Sequence, residues 1–149
     1  VDHRYTFVST WQLPAEPDAV YAVLERLDRY PEWWRQVRRA ERIDDDTCAV
    51  VVRSTLPYDL RVTAHRVCAD ASVGLLAARL SGDLSGECSW TLTPADDGTR
   101  VMFREDVRAH RALLRWLAFA RPALRANHVS MMRCGERGLR AHLRANTAG

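Results

Sequence analysis

Glu87–Arg108 reads ECSWTLTPADDGTRVMFREDVR, and a whole β-hairpin is written in it. Cys88, Trp90 and Leu92 alternate with Glu87, Ser89, Thr91 and Thr93. That period of two sends neighbouring side chains to opposite faces of a strand. Asp96-Asp97-Gly98 is a hairpin turn signal, and Val101, Phe103, Glu105 and Val107 resume the alternation beyond it. The same pattern extends upstream through Cys48, Val50 and Val52, then Leu60, Val62 and Ala64, then Leu76, Ala78 and Leu80 before a Ser81-Gly82-Asp83 turn. From about Val37 to Arg108 this makes six antiparallel strands. Tyr5, Phe7, Trp11 and Leu13 share one parity of Arg4–Leu13 and add a seventh at the start.

Between the first strand and the rest, Pro14 stops the strand and Pro17 suits the first turn of a helix. Val20, Val23, Leu24 and Leu27 lie along one face of that short helix, and Tyr30-Pro31-Glu32-Trp33-Trp34 forms a second short helical turn. After the sheet, Arg111–Leu143 reads as one long helix, which Pro122 should kink or split. Leu113, Leu117, Ala120, Leu124, Met131, Gly135 and His142 share its inner sector; Arg111, Arg115, Arg133, Arg137, Arg140 and Arg144 lie opposite. The expected fold is α+β: a curved seven-stranded antiparallel sheet wrapped around the C-terminal helix. One helix cannot fill the concave side of such a sheet, so an apolar cavity should remain between them.

With 149 residues, the chain is expected to be one domain spanning 1–149, with residues from about 145 onward a frayed tail. All 22 basic residues are arginine, which excludes Schiff-base lysines, lysine general bases and a phosphate-loop lysine. The net charge of +3 is uneven: Arg111–Arg144 holds eight arginines and one acid, Glu136, and the remainder is net negative. Cys48, Cys68, Cys88 and Cys134 show no metal or disulfide spacing and read as reduced, buried hydrophobes. His3, His65, His110, His128 and His142 have no ligand spacing either, so no metal and no cofactor is expected. The mostly apolar run Ala112–Leu124 is broken by Arg115 and Arg121 and is too short to span a bilayer, and Val1–Leu13 is no leader. The chain is therefore expected to be soluble and cytoplasmic, a monomer or weak homodimer, with no nucleic-acid partner and no stable membrane insertion.

Arg66 falls on the inward parity with Leu60, Val62 and Ala64. A buried guanidinium needs a reason to be there. It either polarises a carbonyl or holds a carboxylate of a ligand, or it forms a structural ion pair or snorkels out near Asp70. Glu105, also inward, is expected first as the resting partner of Arg66 and second as a general base. Asn127 and His128 either satisfy backbone groups freed at Pro122 or bond a ligand. The other candidate lining residues are Tyr30 and Trp34, then Val52, Leu76, Trp90 and Phe103 on strands, and Leu124 and Met131 on the last helix.

Several motifs resemble the helix-grip superfamily of START domains and the birch-pollen allergen, in its bacterial polyketide cyclase/dehydrase-like branch. They are Pro14-Ala15 with Pro17-Asp18-Ala19-Val20-Tyr21, Tyr30-Pro31-Glu32-Trp33-Trp34, Gly82-Asp83-Leu84-Ser85-Gly86 with Trp90, and Asp97-Gly98-Thr99-Arg100-Val101. Asn127-His128, Met132-Arg133-Cys134-Gly135-Glu136 and Gly138-Leu139 complete the set. The resemblance spans nearly the whole chain and implies binding of a polyketide-like or lipid-like hydrophobic molecule. Ala64-His65-Arg66-Val67 matches the context of a pocket arginine in aromatase/cyclases of this fold, which implies an aldol-cyclising enzyme as the alternative. Where those enzymes carry a tyrosine after the second short helix, this chain has Val37. A third possibility is an interaction module using the basic face of the last helix.

Overall fold

The computed structural model describes residues 4–53, 59–110 and 121–147. In chain order they form β1 (Arg4–Leu13), α1 (Pro17–Leu24), a 3-10 helix (Leu27–Glu32), β2 (Val37–Arg42), β3 (Thr47–Val52), β4 (Leu60–Asp70), β5 (Leu75–Gly82), β6 (Leu84–Ala95), β7 (Gly98–Ala109) and α2 (Arg121–Thr147). The strands make one antiparallel sheet in the order β1-β7-β6-β5-β4-β3-β2. β2 to β7 is thus an unbroken meander, and β1 pairs with β7 at the far edge. The expected Asp96-Asp97 turn joins β6 to β7, with Ala95 opposite Gly98. This is the helix-grip arrangement.

The two helical segments after β1 are built as their sequence suggests. Pro17 opens α1, and Val20, Tyr21 and Leu24 bury its inner face. Tyr30 is buried in the 3-10 helix, and its hydroxyl donates to the Leu24 carbonyl at 2.7 Å. That bond folds the segment back on α1 and delivers Trp33 and Trp34 to the underside of α2.

There the packing is close. Trp34 donates from Nε1 to the Met131 carbonyl at 3.1 Å. A Cβ on Gly135 would lie 2.6 Å from Trp34 Cε2, and one on Gly138 would run into the Trp33 carbonyl. Trp11 meets Trp34 and Trp90 at centroid distances of 5.5 and 5.0 Å, and Trp33 meets Trp34 at 5.4 Å. This aromatic block, with Leu13, Leu92, Val101, Leu139 and Leu143, forms one buried core.

Three expectations about the last helix change. Its buried stripe is His128, Met132, Gly135, Leu139 and Leu143, rotated from the expected sector, and His142 is only half-buried. Arg140, assigned to the free basic face, donates from Nε to the Gln12 carbonyl at 2.8 Å. Glu136 accepts from the Gln12 N–H at 2.8 Å, so this helical pair satisfies an open peptide of the edge strand β1. Residues 145–147, expected as tail, continue the helix, which Leu143 anchors by burial. The stretch expected as helix before Arg121, including Arg111, Leu113, Arg115, Leu117 and Ala120, and with it the expected break at Pro122, lies outside the described residues.

Replacing an exposed helical glycine by alanine stabilises a helix by about 1 kcal/mol. Gly138→Ala should do the reverse here. Its methyl meets backbone that cannot swing aside, so urea unfolding should show a loss of about 1–3 kcal/mol.

Candidate ligand cavity

Strand register organises the concave face. Arg66 on β4 lies opposite Ala78 on β5, Ala78 opposite Cys88 on β6, Cys88 opposite Glu105 on β7, and Glu105 opposite Phe7 on β1. One straight row therefore crosses five strands, with a cation towards one end and a carboxylate towards the other. Only the small side chains of Ala78 and Cys88 lie between them. At about 4.8 Å per strand, Arg66 and Glu105 are about 14 Å apart along the sheet at Cα.

Arg66 is held at a special point of β4. The β4–β5 register slips immediately after it, where Val67 is the extra residue of a bulge. Its backbone N–H also donates to the Asp46 carbonyl at 2.7 Å. The half-buried guanidinium reaches across the cavity, and Nη2 donates to the Glu25 carbonyl at 2.6 Å, just past α1. Among the described residues it has no carboxylate partner, and Asp70 is taken up by Ser72.

At the other end, Glu105 Oε2 lies 3.1 Å from His128 Nε2, with both side chains nearly buried. With Glu105 as the carboxylate, Nε2 carries the proton of this bond. The His128 ring stacks on Phe7, with centroids 4.0 Å apart and planes 12° from parallel. Glu105 is thus the partner of His128 and not, as expected, of Arg66. Inward parity correctly put both charged residues on one face, but β5 and β6 intervene and hold them apart. His128 in turn serves β7 rather than loose backbone near Pro122.

These groups border a cavity of about 480 Å³ between the sheet and the N-terminal part of α2. All twelve candidate residues border it: Arg66 and Glu105; Tyr30 and Trp34; Val52, Leu76, Trp90 and Phe103; Leu124, Asn127, His128 and Met131. Trp33, by contrast, is core. Tyr5, Phe7 and Cys88 also border the cavity; their inward parity was legible, but nothing marked them as lining rather than core. The Glu25 carbonyl carried no sequence signal, because any residue could supply it. Val37 is buried at the wall. At the rim, Arg26 pairs with Asp28 and Arg42 with Asp45, exposed pairs worth little to stability.

Burial raises the pKa of three lining groups, Cys48, Cys88 and Tyr30. Desolvation, then the nearby Glu105 charge, pushes the Cys88 thiol up to about 12, so it is an un-ionised, apolar patch of floor at neutral pH. Desolvation also pushes the Tyr30 phenol well above its ordinary range. Among the described residues no group of His, Cys, Asp and Glu could hold a metal ion, and no helix is long and apolar enough to cross a membrane.

Residues 4–144 match the protein family described as polyketide cyclase/dehydrase and lipid transport. Among solved structures, an aromatase/cyclase from Streptomyces sp. R1128 superposes with a TM-score of 0.80 at 16% identity, covering 97% of this chain and 96% of that one. A START superfamily protein from Mycobacterium smegmatis gives 0.70 at 12% identity, covering 96% and 98%. A di-domain aromatase/cyclase of the steffimycin biosynthetic pathway gives 0.67 at 20% identity, covering 97% of this chain and 53% of that one. At these identities the likeness shows the fold. No curated protein matches the chain.

The large rises at Cys88 and Tyr30 set an alkaline limit. The folded state keeps the Cys88 and Tyr30 protons, whereas an unfolded chain releases them near 9.0 and 10.0. Their contribution to stability is therefore fully present below pH 9 and is lost as pH rises beyond it. Unfolding free energy should fall as pH rises above 9, and more steeply once the unfolded tyrosine also ionises above pH 10. Denaturant titrations across pH 8–11 of wild type and Cys88→Ala would read this, with the slope shallower in the variant.

Proposed function

Since the chain belongs to the polyketide cyclase/dehydrase and lipid-transport family, we propose that it binds one hydrophobic, polyketide-like or lipid-like molecule inside this cavity. Arg66 holds the polar end of that molecule. The observation that carries this reading is an apolar space of about 480 Å³ with an incompletely paired guanidinium in its wall. A space of that size suits a small-molecule ligand.

Energetics support an occupied cavity. A dry void of about 480 Å³ would be far larger than the few water-sized voids that folded interiors keep. The space therefore holds solvent or a ligand. Ordered water suits its polar ends near Arg66 and Glu105, but a floor of Ala78, Cys88, Leu76 and Trp90 offers water few partners. A flat apolar molecule that displaces this water gains the hydrophobic term, and its oxygen gains a charge-assisted bond from Arg66.

The cyclising-enzyme reading asks Arg66 to stabilise enolate charge while Glu105, or a water, moves the proton. If Glu105 is the base, the two must serve neighbouring atoms of one substrate. The register of the row, about 14 Å between their Cα positions, favours binding at two ends over chemistry at one carbonyl. The basic face of α2 supports the interaction reading less well once Arg140 is tied to β1.

Binding of an anilinonaphthalenesulfonate dye, and its displacement by flat polyphenols and by fatty acids, tests this. Saturable binding is expected, with displacement by one class weakened about tenfold or more in Arg66→Leu and the displacing molecule recovered unchanged. A folded protein with no saturable binding would overturn the reading.

A further inference from the structure

Resting on that cavity reading, we propose that Glu105, oriented by His128, is a second recognition group, accepting a hydrogen bond from a hydroxyl at the end of the ligand remote from Arg66. The molecule taken is two-ended. It carries a carbonyl or carboxylate at one end and an alcohol or phenol at the other, joined by two or three flat rings.

Three observations support this. First, Glu105 has spare capacity. Its Oε2 is bonded to His128, and among the described residues no donor reaches Oε1, although the side chain is only 13% exposed and borders the cavity. A carboxylate oxygen in a largely apolar wall is costly until a donor meets it. Second, the group is preorganised. His128 comes from α2 and Glu105 from β7, and stacking on Phe7 fixes the imidazole plane, so the carboxylate is gripped from outside the sheet.

Third, the row sets a length. Arg66 and Glu105 share one rung, and the side chains between them, Ala78 and Cys88, are short enough for a planar skeleton to lie across them. Both side chains rise from the same face of the sheet, so the span of about 14 Å at Cα carries over to their polar ends and suits a two- or three-ring molecule with a hydrogen bond at each end. The Cys88 thiol between them is un-ionised, so it adds no negative charge beside Glu105.

The test compares 2-naphthoic acid with 6-hydroxy-2-naphthoic acid, whose carboxylate and hydroxyl stand at opposite ends, as displacers of the bound dye. With wild type, the hydroxy acid should displace at about tenfold lower concentration. Glu105→Leu should erase that preference. Glu105→Gln keeps the shape and an oxygen acceptor but not the charge, and should retain about threefold; it decides the matter if the leucine variant does not fold. Arg66→Leu should weaken both acids and leave their ratio unchanged.

Equal displacement by the two acids in wild type would overturn the role of Glu105 while leaving the cavity reading intact. So would a preference that survives unchanged in the Glu105 variants, or a dye that binds and yields to neither acid. A dye that fails to bind would overturn the cavity reading and this inference with it.

Discussion

Trp33 and Trp34 touch α2 at Gly135 and Gly138, and that contact sets the distance between helix and sheet along the rest of the molecule. Any side chain at Gly138 would strike the Trp33 carbonyl, so the approach is available to glycine alone. Helix and sheet are pinned together at that end. Trp11, Trp90, Leu139 and Leu143 then fill the angle between them to core density. Towards Leu124, on the far side of that contact, the described residues leave about 480 Å³ between sheet and helix unfilled. The cavity is thus the geometric consequence of tight packing elsewhere, not a packing failure.

The sheet supplies chemical order to that space. A meander with regular register turns sequence positions far apart into a transverse row, so residues on four hairpin-linked strands and on β1 line up. Charged residues at separated points of the row cannot neutralise each other. Each has instead found a partner off the sheet: Arg66 the Glu25 carbonyl beyond α1, and Glu105 the His128 imidazole on α2. Both bonds tie the cover of the cavity to its floor while leaving hydrogen-bonding capacity facing inward.

Much of this was legible in the sequence, and the omissions have physical causes. Alternation marked the strands and told which face Arg66 and Glu105 occupy, because strand periodicity is strict. Parity carries no information on how many strands separate two residues, and so the pair was misjoined. The helix stripe was misplaced although Gly135 was read on its inner side: Met132, Leu139 and Leu143 are the buried side chains around it, and His142 is only half-buried. Gly135 and Gly138 decide which side of α2 meets the tryptophans. A main-chain acceptor such as that of Glu25 leaves no trace in residue type. Cavity and core residues carry the same apolar alphabet, so Tyr5 and Phe7 could not be told from core before the space itself was seen.

The central claim is that a two-ended planar molecule lies across Ala78 and Cys88, between Arg66 and Glu105. A crystal structure of the protein with 6-hydroxy-2-naphthoic acid tests it most directly. The account expects flat density over Ala78 and Cys88, with carboxylate oxygens within hydrogen-bond distance of the Arg66 guanidinium and the hydroxyl on Glu105 Oε1. Density elsewhere on the protein, or a cavity filled by the rings of Phe7 and Trp90 and the Met131 side chain with no room for the acid, would contradict it.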